Sequence, residues 1–374
     1  MSQIPYTVML FVAGCLLAIV VPSAAFVETI ANVSPRILLT LFMPVLITAA
    51  AYGFRPDELR TTLPSATLLA VPGMVATMFL VAVTAQWIMG WQWHYAMIFG
   101  ALISATDPVA VVAILKAQHV DGRLERLIDA EAMLNDGTGI VLFMIALTAV
   151  AHPIGELALV VAGGGAIGFI AAMLYRFGAK RLGKVGGVEA QAAIVVAMAY
   201  LCYITAHDVL QLSGVLALVV YAVVANYNKA EISPRTRDFI DGVWNFLSLV
   251  ANTLLFLLIG VVIATKAQPT WADLPKIVAA YVAVNLVRGA VVALLYPALR
   301  GTTLREAIVI AWSGLRGAVA LALALAVASA QHIPPGVQRE ILVITGGVIA
   351  LTLLINATTI KWIIRWTKLA QNQT

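Results

Sequence analysis

Charged residues are scarce in this chain. Asp, Glu, Lys and Arg make up 11% of the 374 residues, whereas hydrophobic residues make up 62% and the mean hydropathy is +0.97. A soluble globular protein carries about 25% charged residues, because these residues cover its surface. The composition therefore excludes a soluble globular protein and predicts a chain whose main solvent is the lipid bilayer.

Cysteines and catalytic motifs are also few or absent. The two cysteines, Cys15 and Cys202, lie in apolar runs and form neither a disulfide framework nor a metal-ligand spacing. The sequence contains no HExxH, GxSxG or P-loop motif. The net charge of +5 comes mostly from basic residues in loops between apolar runs, so it does not indicate a nucleic-acid partner. We expect no enzymatic activity and no resident cofactor.

Twelve apolar runs follow one another, separated by charged or turn-forming residues. A helix needs about 20 apolar residues to cross the hydrocarbon core of a bilayer. We therefore predict an all-α polytopic membrane protein with about 12 transmembrane helices in one domain, residues 1–374, without a soluble regulatory domain. The predicted spans are 5–21, 36–52, 63–85, 95–116, 124–150, 155–175, 189–206, 211–227, 240–265, 274–298, 305–330 and 340–364.

The distribution of basic residues predicts the orientation in the membrane. If the N-terminus is cytoplasmic, 17 of the 23 Lys and Arg residues lie in cytoplasmic loops or at the C-terminal end, and four lie on the opposite side. Cytoplasmic loops carry the excess of Lys and Arg in membrane proteins. We expect a multi-pass protein of the plasma membrane, the inner membrane in a bacterium, with both termini in the cytoplasm.

Five charged residues lie deep in the predicted spans: Asp107, Glu131, Asp136, Arg288 and Arg316. An isolated charge at the bilayer centre costs about 2.5–3.5 kcal/mol on insertion scales, so these side chains must face one another or water. Because arginine keeps its proton, two arginines neutralise at most two of the three carboxylates. The remaining carboxylate must take up a proton or bind a cation, which is the minimal chemistry of a cation/proton exchanger.

Other interpretations of these charges stay open at this point. Arginine–carboxylate pairs also join helices without any further role. The same acids are compatible with a cation channel. Asp107 and Asp136 are also compatible with the catalytic pair of an intramembrane enzyme.

Two segments predict interruptions of transmembrane helices. In Ser104–Pro108 the proline removes a backbone donor within a span. In Ser313–Gly317 two glycines flank Arg316 and weaken the helix. Helices that are broken at membrane depth free carbonyl groups and helix ends for ion binding.

Three polar residues lie on one predicted helix. Glu131 and Asn135 are four residues apart and share a face. Asp136 lies about 140° further round the helix than Glu131. One acid can therefore pair with an arginine while the other faces a cavity.

Four segments resemble those of the sodium/proton exchangers of the monovalent cation/proton antiporter-1 family, of the NhaP and NHE types. Residues 105–111 resemble the family's unwound fourth helix, and residues 131–137 resemble its ion-site helix. Residues 252–260 resemble a later apolar stretch that ends in glycine, and residues 314–319 resemble the Gly-Leu-Arg-Gly signature of its second broken helix.

The resemblance implies the NhaA/NhaP-like antiporter fold, with inverted-topology repeats and two crossed discontinuous helices. It implies transport helices around 95–175 and 274–364. It also implies a homodimer, with dimerisation helices near the N-terminus and at 189–227.

The resemblance implies that Na⁺, or another monovalent cation such as Li⁺ or K⁺, is exchanged for H⁺ by alternating access. Asp136 would be the carboxylate for which the cation and the proton compete. Asp107 and Thr106 would complete the Na⁺ site. Asn135, which precedes Asp136, is typical of the electroneutral branch. The alternatives are an electrogenic antiporter or a cation channel that uses the same acids.

Further residues have implied supporting roles. Glu131 would form a structural ion pair with Arg288, and Arg316 and Pro108 would support the broken helices. Ala132 stands where the family usually has a serine, and Thr48 or a neighbour stands where it usually has a glutamate. The cation selectivity therefore does not follow from the resemblance.

Overall fold

The computed structural model describes residues 6–21, 35–53, 56–148, 153–182, 187–227, 233–267, 270–328, 330 and 333–369. These described residues are almost entirely helical and include no β-strand. The α-helices are α1 Tyr6–Val20, α2 Pro35–Gly53, α3 Pro56–Leu68, α4 Met74–Met89, α5 Trp93–Ser104, α6 Val109–Ala117, α7 Gly122–Thr148, α8 Pro153–Leu182, α9 Gly187–Tyr203, α10 Gly214–Tyr227, α11 Pro234–Val262, α12 Leu274–Leu295, α13 Leu304–Trp312, α14 Ala318–Ala328, α15 Pro335–Leu351 and α16 Ala357–Trp366.

Within the ranges just given, four π-helical segments and one 3-10 turn extend these helices. An apolar segment in lipid must pair its own backbone N–H and C=O groups, and continuous helical structure does so. The π-helical segments are Leu69–Gly73 between α3 and α4, Ile204–Val209 after α9, Ile263–Ala267 after α11 and Thr352–Asn356 between α15 and α16; the 3-10 turn is Tyr296–Ala298 after α12.

The predicted all-α membrane fold is confirmed. In the described part of the chain, eight helical stretches are long and apolar enough to cross a membrane, and four shorter helices are apolar. Each of the predicted spans overlaps one of these stretches. The eight long stretches are Thr61–Met89, Trp93–Ala117, Gly122–Leu147, Ala158–Gly178, Gly187–Val209, Pro234–Thr265, Leu274–Ala298 and Pro335–Trp366, and the shorter ones are Tyr6–Val20, Thr40–Ala49, Gly214–Asn226 and Val319–Ala328.

Both predicted interruptions are present. Residues 105–108 separate α5 from α6, and α6 begins directly after Pro108, which has no N–H to donate. Residues 313–317 separate α13 from α14. The predicted spans 95–116 and 305–330 are therefore each two half-helices joined by a short segment that is not helical.

The chain forms two compact units. Unit 1 comprises Met1–Pro35, Thr62–Ala149 and Thr253–Thr374, and unit 2 comprises Arg36–Thr61 and Val150–Asn252. In unit 2, α8 packs closely on α10 through Gly164, because the carbonyl oxygen of Ser213 lies only 2.5 Å from the position of a Cβ there.

In unit 1, α1 crosses the C-terminal turns of α11 at a pair of glycines. A Cβ at Gly14 would lie 3.1 Å from the Cα of Gly260. The Cys15 thiol donates to the Gly260 carbonyl at 3.4 Å. Close packing of the two helices therefore explains the glycine that ends the 252–260 segment. Cys15 lies at the same contact, where its thiol has a hydrogen-bond partner.

Ion pairs join the elements of unit 1 at the start of α15. Glu340 accepts hydrogen bonds from Lys276 Nζ at 2.6 Å and from Trp91 Nε1 at 2.7 Å. Asp273 pairs with Arg339 at 2.9 Å. Hydrogen bonds from Arg339, and then from Thr270, hold the pKa of Asp273 well below its usual range. These contacts connect the starts of α5, α12 and α15.

A capping box starts α13. The Thr303 hydroxyl accepts from Glu306 N at 3.3 Å, and Glu306 Oε2 accepts from Thr303 N at 2.6 Å. Arg123 of α7 donates to the Arg300 carbonyl at 2.8 Å, just before this cap. The N-terminal end of α7 is thus joined to the start of the second interrupted span.

Candidate ion-binding site

The two interruptions cross each other inside unit 1. The backbone N–H of Asp107 donates to the Leu315 carbonyl at 2.9 Å. Arg316 Nη1 donates to the carbonyls of Ser104 and Ala105, each at 3.3 Å. Each interruption therefore supplies hydrogen-bond partners to backbone groups that the other leaves without helical partners.

Charged side chains meet half-helix ends of opposite polarity. Arg316, with 0% exposure, lies at the C-terminal end of α5, which carries partial negative charge. Arg288 Nη2 reaches the Ile310 carbonyl in the last turn of α13 at 3.4 Å. Asp107 Oδ1 accepts from Val109 N at 3.0 Å, at the positive N-terminal end of α6. Side-chain charges therefore compensate the partial charge at three of the four half-helix ends that the interruptions create.

A buried ion pair connects α7 and α12. Arg288 Nη2 lies 2.5 Å from Glu131 Oε1, and the two side chains are 5% and 2% exposed. Asn135 Nδ2 donates to the same Glu131 oxygen at 3.2 Å and to Thr106 Oγ1 at 3.0 Å. The carboxylate of Glu131 is thus neutralised and hydrogen-bonded, and α7 is tied to the first interruption.

The Asn135 amide oxygen is buried and has no hydrogen-bond partner among the described residues. An unpaired buried acceptor is costly unless it meets a donor, water or a cation. Asp136 follows directly on α7. Gly139, one turn beyond Asp136, has the Ala105 Cβ 3.3 Å from its own Cβ position. This face of α7 therefore packs against the first interruption.

Asp107 and Asp136 are partly accessible, unlike Glu131. In the described part of the chain neither of them forms an ion pair with a basic side chain. The charge count predicts one carboxylate without an arginine, whereas the structure has two. The reason is that Arg316 binds backbone carbonyls rather than a carboxylate.

Gly317 allows Asp107 to approach the second interruption. A Cβ at position 317 would overlap Asp107 Oδ2 and would lie 2.6 Å from the Asp107 Cβ. Gly314, three residues earlier, is different, because a Cβ there would make an ordinary contact of 3.4 Å with Arg288 Cγ. Only the second of the two glycines is therefore required for the position of a carboxylate.

The departures from the family pattern lie at buried positions. Ala132 is buried in α7 beside Glu131 and supplies no oxygen. Thr48 is buried in α2, in unit 2, and its hydroxyl has no hydrogen-bond partner among the described residues. Pro108 lies at the start of α6, and its carbonyl accepts from Val112 N at 2.8 Å.

Two polar residues of the last span, which the sequence motifs do not include, lie close to the second interruption. Thr352 and Asn356 are fully buried; Thr352 contacts the second interruption, and Asn356 contacts Trp312 directly before it. Their only signal in the sequence is that they are polar residues within an apolar run.

Crossed, interrupted helices with carboxylates beside the breaks are the architecture of ion-binding secondary transporters. The family described as "Sodium/hydrogen exchanger, transmembrane" matches residues 1–366. This chain belongs to that sodium/hydrogen exchanger family, which confirms the resemblance seen in the four segments.

Two curated relatives illustrate the similarity. Sodium/hydrogen exchanger 7 of Arabidopsis thaliana is 30% identical over 97% of this chain and 34% of its own length. The low-affinity Na⁺/H⁺ antiporter NhaS1 of Synechocystis is 30% identical over 100% of this chain and 71% of its own length. The chain thus spans about a third of the plant exchanger, and 51% of a second one, exchanger 8.

A solved structure shares the fold. The sodium proton antiporter MjNhaP1 of Methanocaldococcus jannaschii matches with a TM-score of 0.78 and 20% identity, over 97% of this chain and 91% of that chain. A second structure of the same antiporter, at pH 8, gives a TM-score of 0.72. The predicted antiporter fold is confirmed.

Proposed function

We propose that this protein is a secondary active transporter that exchanges Na⁺, or another monovalent cation such as Li⁺ or K⁺, for H⁺ across the membrane. The observation that carries the proposal is the pair of carboxylates without an arginine, Asp107 and Asp136, beside two crossed helix interruptions. The names of the relatives and the shared antiporter fold support it.

Asp136 is the carboxylate at which the cation and the proton compete in this proposal. Asp107, Thr106 and the free amide oxygen of Asn135 supply further oxygen ligands, which suit a small hard cation. Glu131 stays paired with Arg288 and does not exchange protons. Competition follows because one carboxylate oxygen cannot hold a proton and a cation at the same point.

The sum of the five buried charges predicts electroneutral exchange. Two arginines and three ionised carboxylates carry a net charge of −1. One H⁺ or one monovalent cation brings the sum to zero, whereas both together leave it at +1. Because moving net charge through an apolar barrier is costly, only the singly loaded core crosses by alternating access. The expected stoichiometry is one cation for each proton.

The arrangement in the membrane is part of the proposal. The transport helices lie around 95–175 and 274–364, and the helices near the N-terminus and at 189–227 form a homodimer. Both termini lie in the cytoplasm, and the protein lies in the plasma membrane. The excess of basic residues in one set of loops supports this orientation.

A vesicle assay tests the function. The purified chain is reconstituted, an outward gradient of Na⁺, Li⁺ or K⁺ is imposed, and the internal pH is followed across a range of external pH. We expect cation-driven proton movement whose rate does not change when the membrane potential is collapsed. A rate that depends on the potential would indicate an electrogenic antiporter. A steady conductance without proton movement would indicate a cation channel.

The close approach of Gly317 to Asp107 makes a second prediction. Gly317→Ala forces the Asp107 carboxyl out of its position, and overpacking of this kind costs about 1–3 kcal/mol. We expect cation-driven proton movement to fall by about tenfold, the change in rate that about 1.4 kcal/mol produces. Gly314→Ala is the matched control, because it makes the same change in the same interruption without a clash. Equal rates for the two variants would show that the position of Asp107 does not limit exchange.

A further inference from the structure

The last span contains a π-helical segment, Thr352–Asn356, at the level of the second interruption. π-Helical turns are rare, and they are frequent at functional sites. Residues of this segment contact the backbone of Trp312, just before the interruption, and of Arg316, within it. The segment therefore replaces helical partners that α13 and α14 lack where they are broken.

Asn356 holds the side that precedes the interruption. Its Nδ2 donates to the Trp312 carbonyl at 3.3 Å and to Asn285 Oδ1 at 2.7 Å. Its Oδ1 accepts from the Tyr281 hydroxyl at 2.7 Å. Both polar atoms of this fully buried amide therefore form hydrogen bonds, which connect the end of α13 to α12.

Thr352 contacts the interruption itself, at the peptide group between Leu315 and Arg316. The Thr352 hydroxyl donates to the Ile349 carbonyl at 2.9 Å and accepts from Arg316 N at 3.3 Å. That N–H belongs to the peptide group that also contains the Leu315 carbonyl. The Leu315 carbonyl accepts from Asp107 N at 2.9 Å. In a trans peptide the two groups point to opposite sides, so this peptide group lies between Thr352 and Asp107.

We propose that Thr352 is a positioning residue for Asp107. Its hydroxyl sets the orientation of the Leu315–Arg316 peptide group, and that peptide group sets the position of the Asp107 backbone. Hydrogen bonds that share a peptide group polarise one another. Loss of the bond from Arg316 N to Thr352 therefore weakens the bond from Asp107 N to the Leu315 carbonyl. The inference deepens the proposed function, on which it rests for its effect on transport.

Three variants test the link. Thr352→Val removes the hydroxyl at nearly constant volume, and Thr352→Ser keeps it. Thr345→Val is the matched control: Thr345 lies seven residues earlier in the same span and is equally buried, and its hydroxyl has no partner among the described residues. The three proteins are reconstituted alongside the unaltered chain, and rates are measured against Na⁺ concentration and pH.

We expect Thr352→Val to raise the Na⁺ concentration for half-maximal rate by about 3- to 10-fold, as for loss of one net hydrogen bond. The maximal rate should fall less, and the pH profile should shift, because the position of a site carboxylate changes. Thr352→Ser should restore the unaltered values, and Thr345→Val should not depart from them.

Amide hydrogen exchange over residues 105–109 gives a readout that does not depend on transport. Thr352→Val should accelerate exchange at Asp107, and Thr345→Val should not. Identical behaviour of these two variants in exchange and in Na⁺ dependence would overturn the proposal. If Thr352→Val fails to fold, Thr352→Ala and Thr345→Ala provide the same comparison.

Failure of the proposed function has a different signature. In that case the unaltered chain would show no cation-coupled proton movement under any gradient. The amide exchange at Asp107 alone would then decide whether Thr352 positions this residue.

Discussion

We expect Asp136→Asn to abolish cation-driven proton movement in vesicles and to leave the fold intact. An asparagine is close in size to an aspartate but neither takes up a proton nor carries a negative charge. With Asp136 neutralised permanently, the five buried charges become four that already sum to zero. The core then has no remaining charge to be neutralised by a cation or a proton. The measurement is the internal pH of vesicles under Na⁺, Li⁺ and K⁺ gradients.

The control for this prediction is Asp129→Asn. Asp129 lies on α7 seven residues before Asp136, on nearly the same face, and it is also partly accessible. Among the described residues no hydrogen bond or ion pair joins Asp129 to either interruption, and its charged neighbours are Lys116 and Glu125, so its replacement should leave exchange unchanged. Normal exchange by Asp136→Asn would refute the assigned role. Equal loss in both variants would show that exchange depends on acidity along α7 rather than on Asp136.

We expect removal of either partner of the Glu131–Arg288 pair to lower stability more than it alters the ion site. The two side chains are 2.5 Å apart and almost fully buried. Arg288→Ala leaves an ionised carboxylate without compensation, which costs about 3–5 kcal/mol in buried pairs. The expected result is a large decrease in the thermal unfolding temperature of Arg288→Ala and of Glu131→Ala.

The double substitution of Glu131 by Gln and Arg288 by Met distinguishes this explanation from loss of packing. Because the double variant contains no unpaired buried charge at these positions, we expect it to be less destabilised than either single alanine variant. Lys276→Ala is the surface control. Lys276 Nζ lies 2.6 Å from Glu340 Oε1, but the two side chains are 38% and 27% exposed. We therefore expect the free energy of unfolding to fall by about 1 kcal/mol or less. An unchanged unfolding temperature for Arg288→Ala would contradict the structural role of the pair.

Much of the fold follows from the sequence because the bilayer imposes one length scale. Apolar runs of about 20 residues must become helices that span it, and the observed helices overlap all the predicted spans. The two interruptions were also predictable, since Pro108 lacks a donor and two glycines flank Arg316. These are local effects that depend on neighbouring residues only.

The partners of the buried charges were only partly predictable. Charge balance requires that Arg288 and Arg316 meet negative groups, but a helix C-terminal end satisfies this requirement as well as a carboxylate does. Arg316 meets the carbonyls of Ser104 and Ala105, which are more than 200 residues away in the chain. No pattern of spacing indicates such a contact.

The amino-acid sequence alone is sufficient to predict a membrane protein with five charges inside its spans and two broken helices. Those properties depend on composition and on local backbone chemistry. The folded structure was needed to show that Arg316 binds carbonyls, that two carboxylates have no arginine partner among the described residues, and that the Leu315–Arg316 peptide group lies between Thr352 and Asp107. Such contacts depend on how distant helices cross, because a peptide group freed by one broken helix takes its partner from whichever neighbour packs against it.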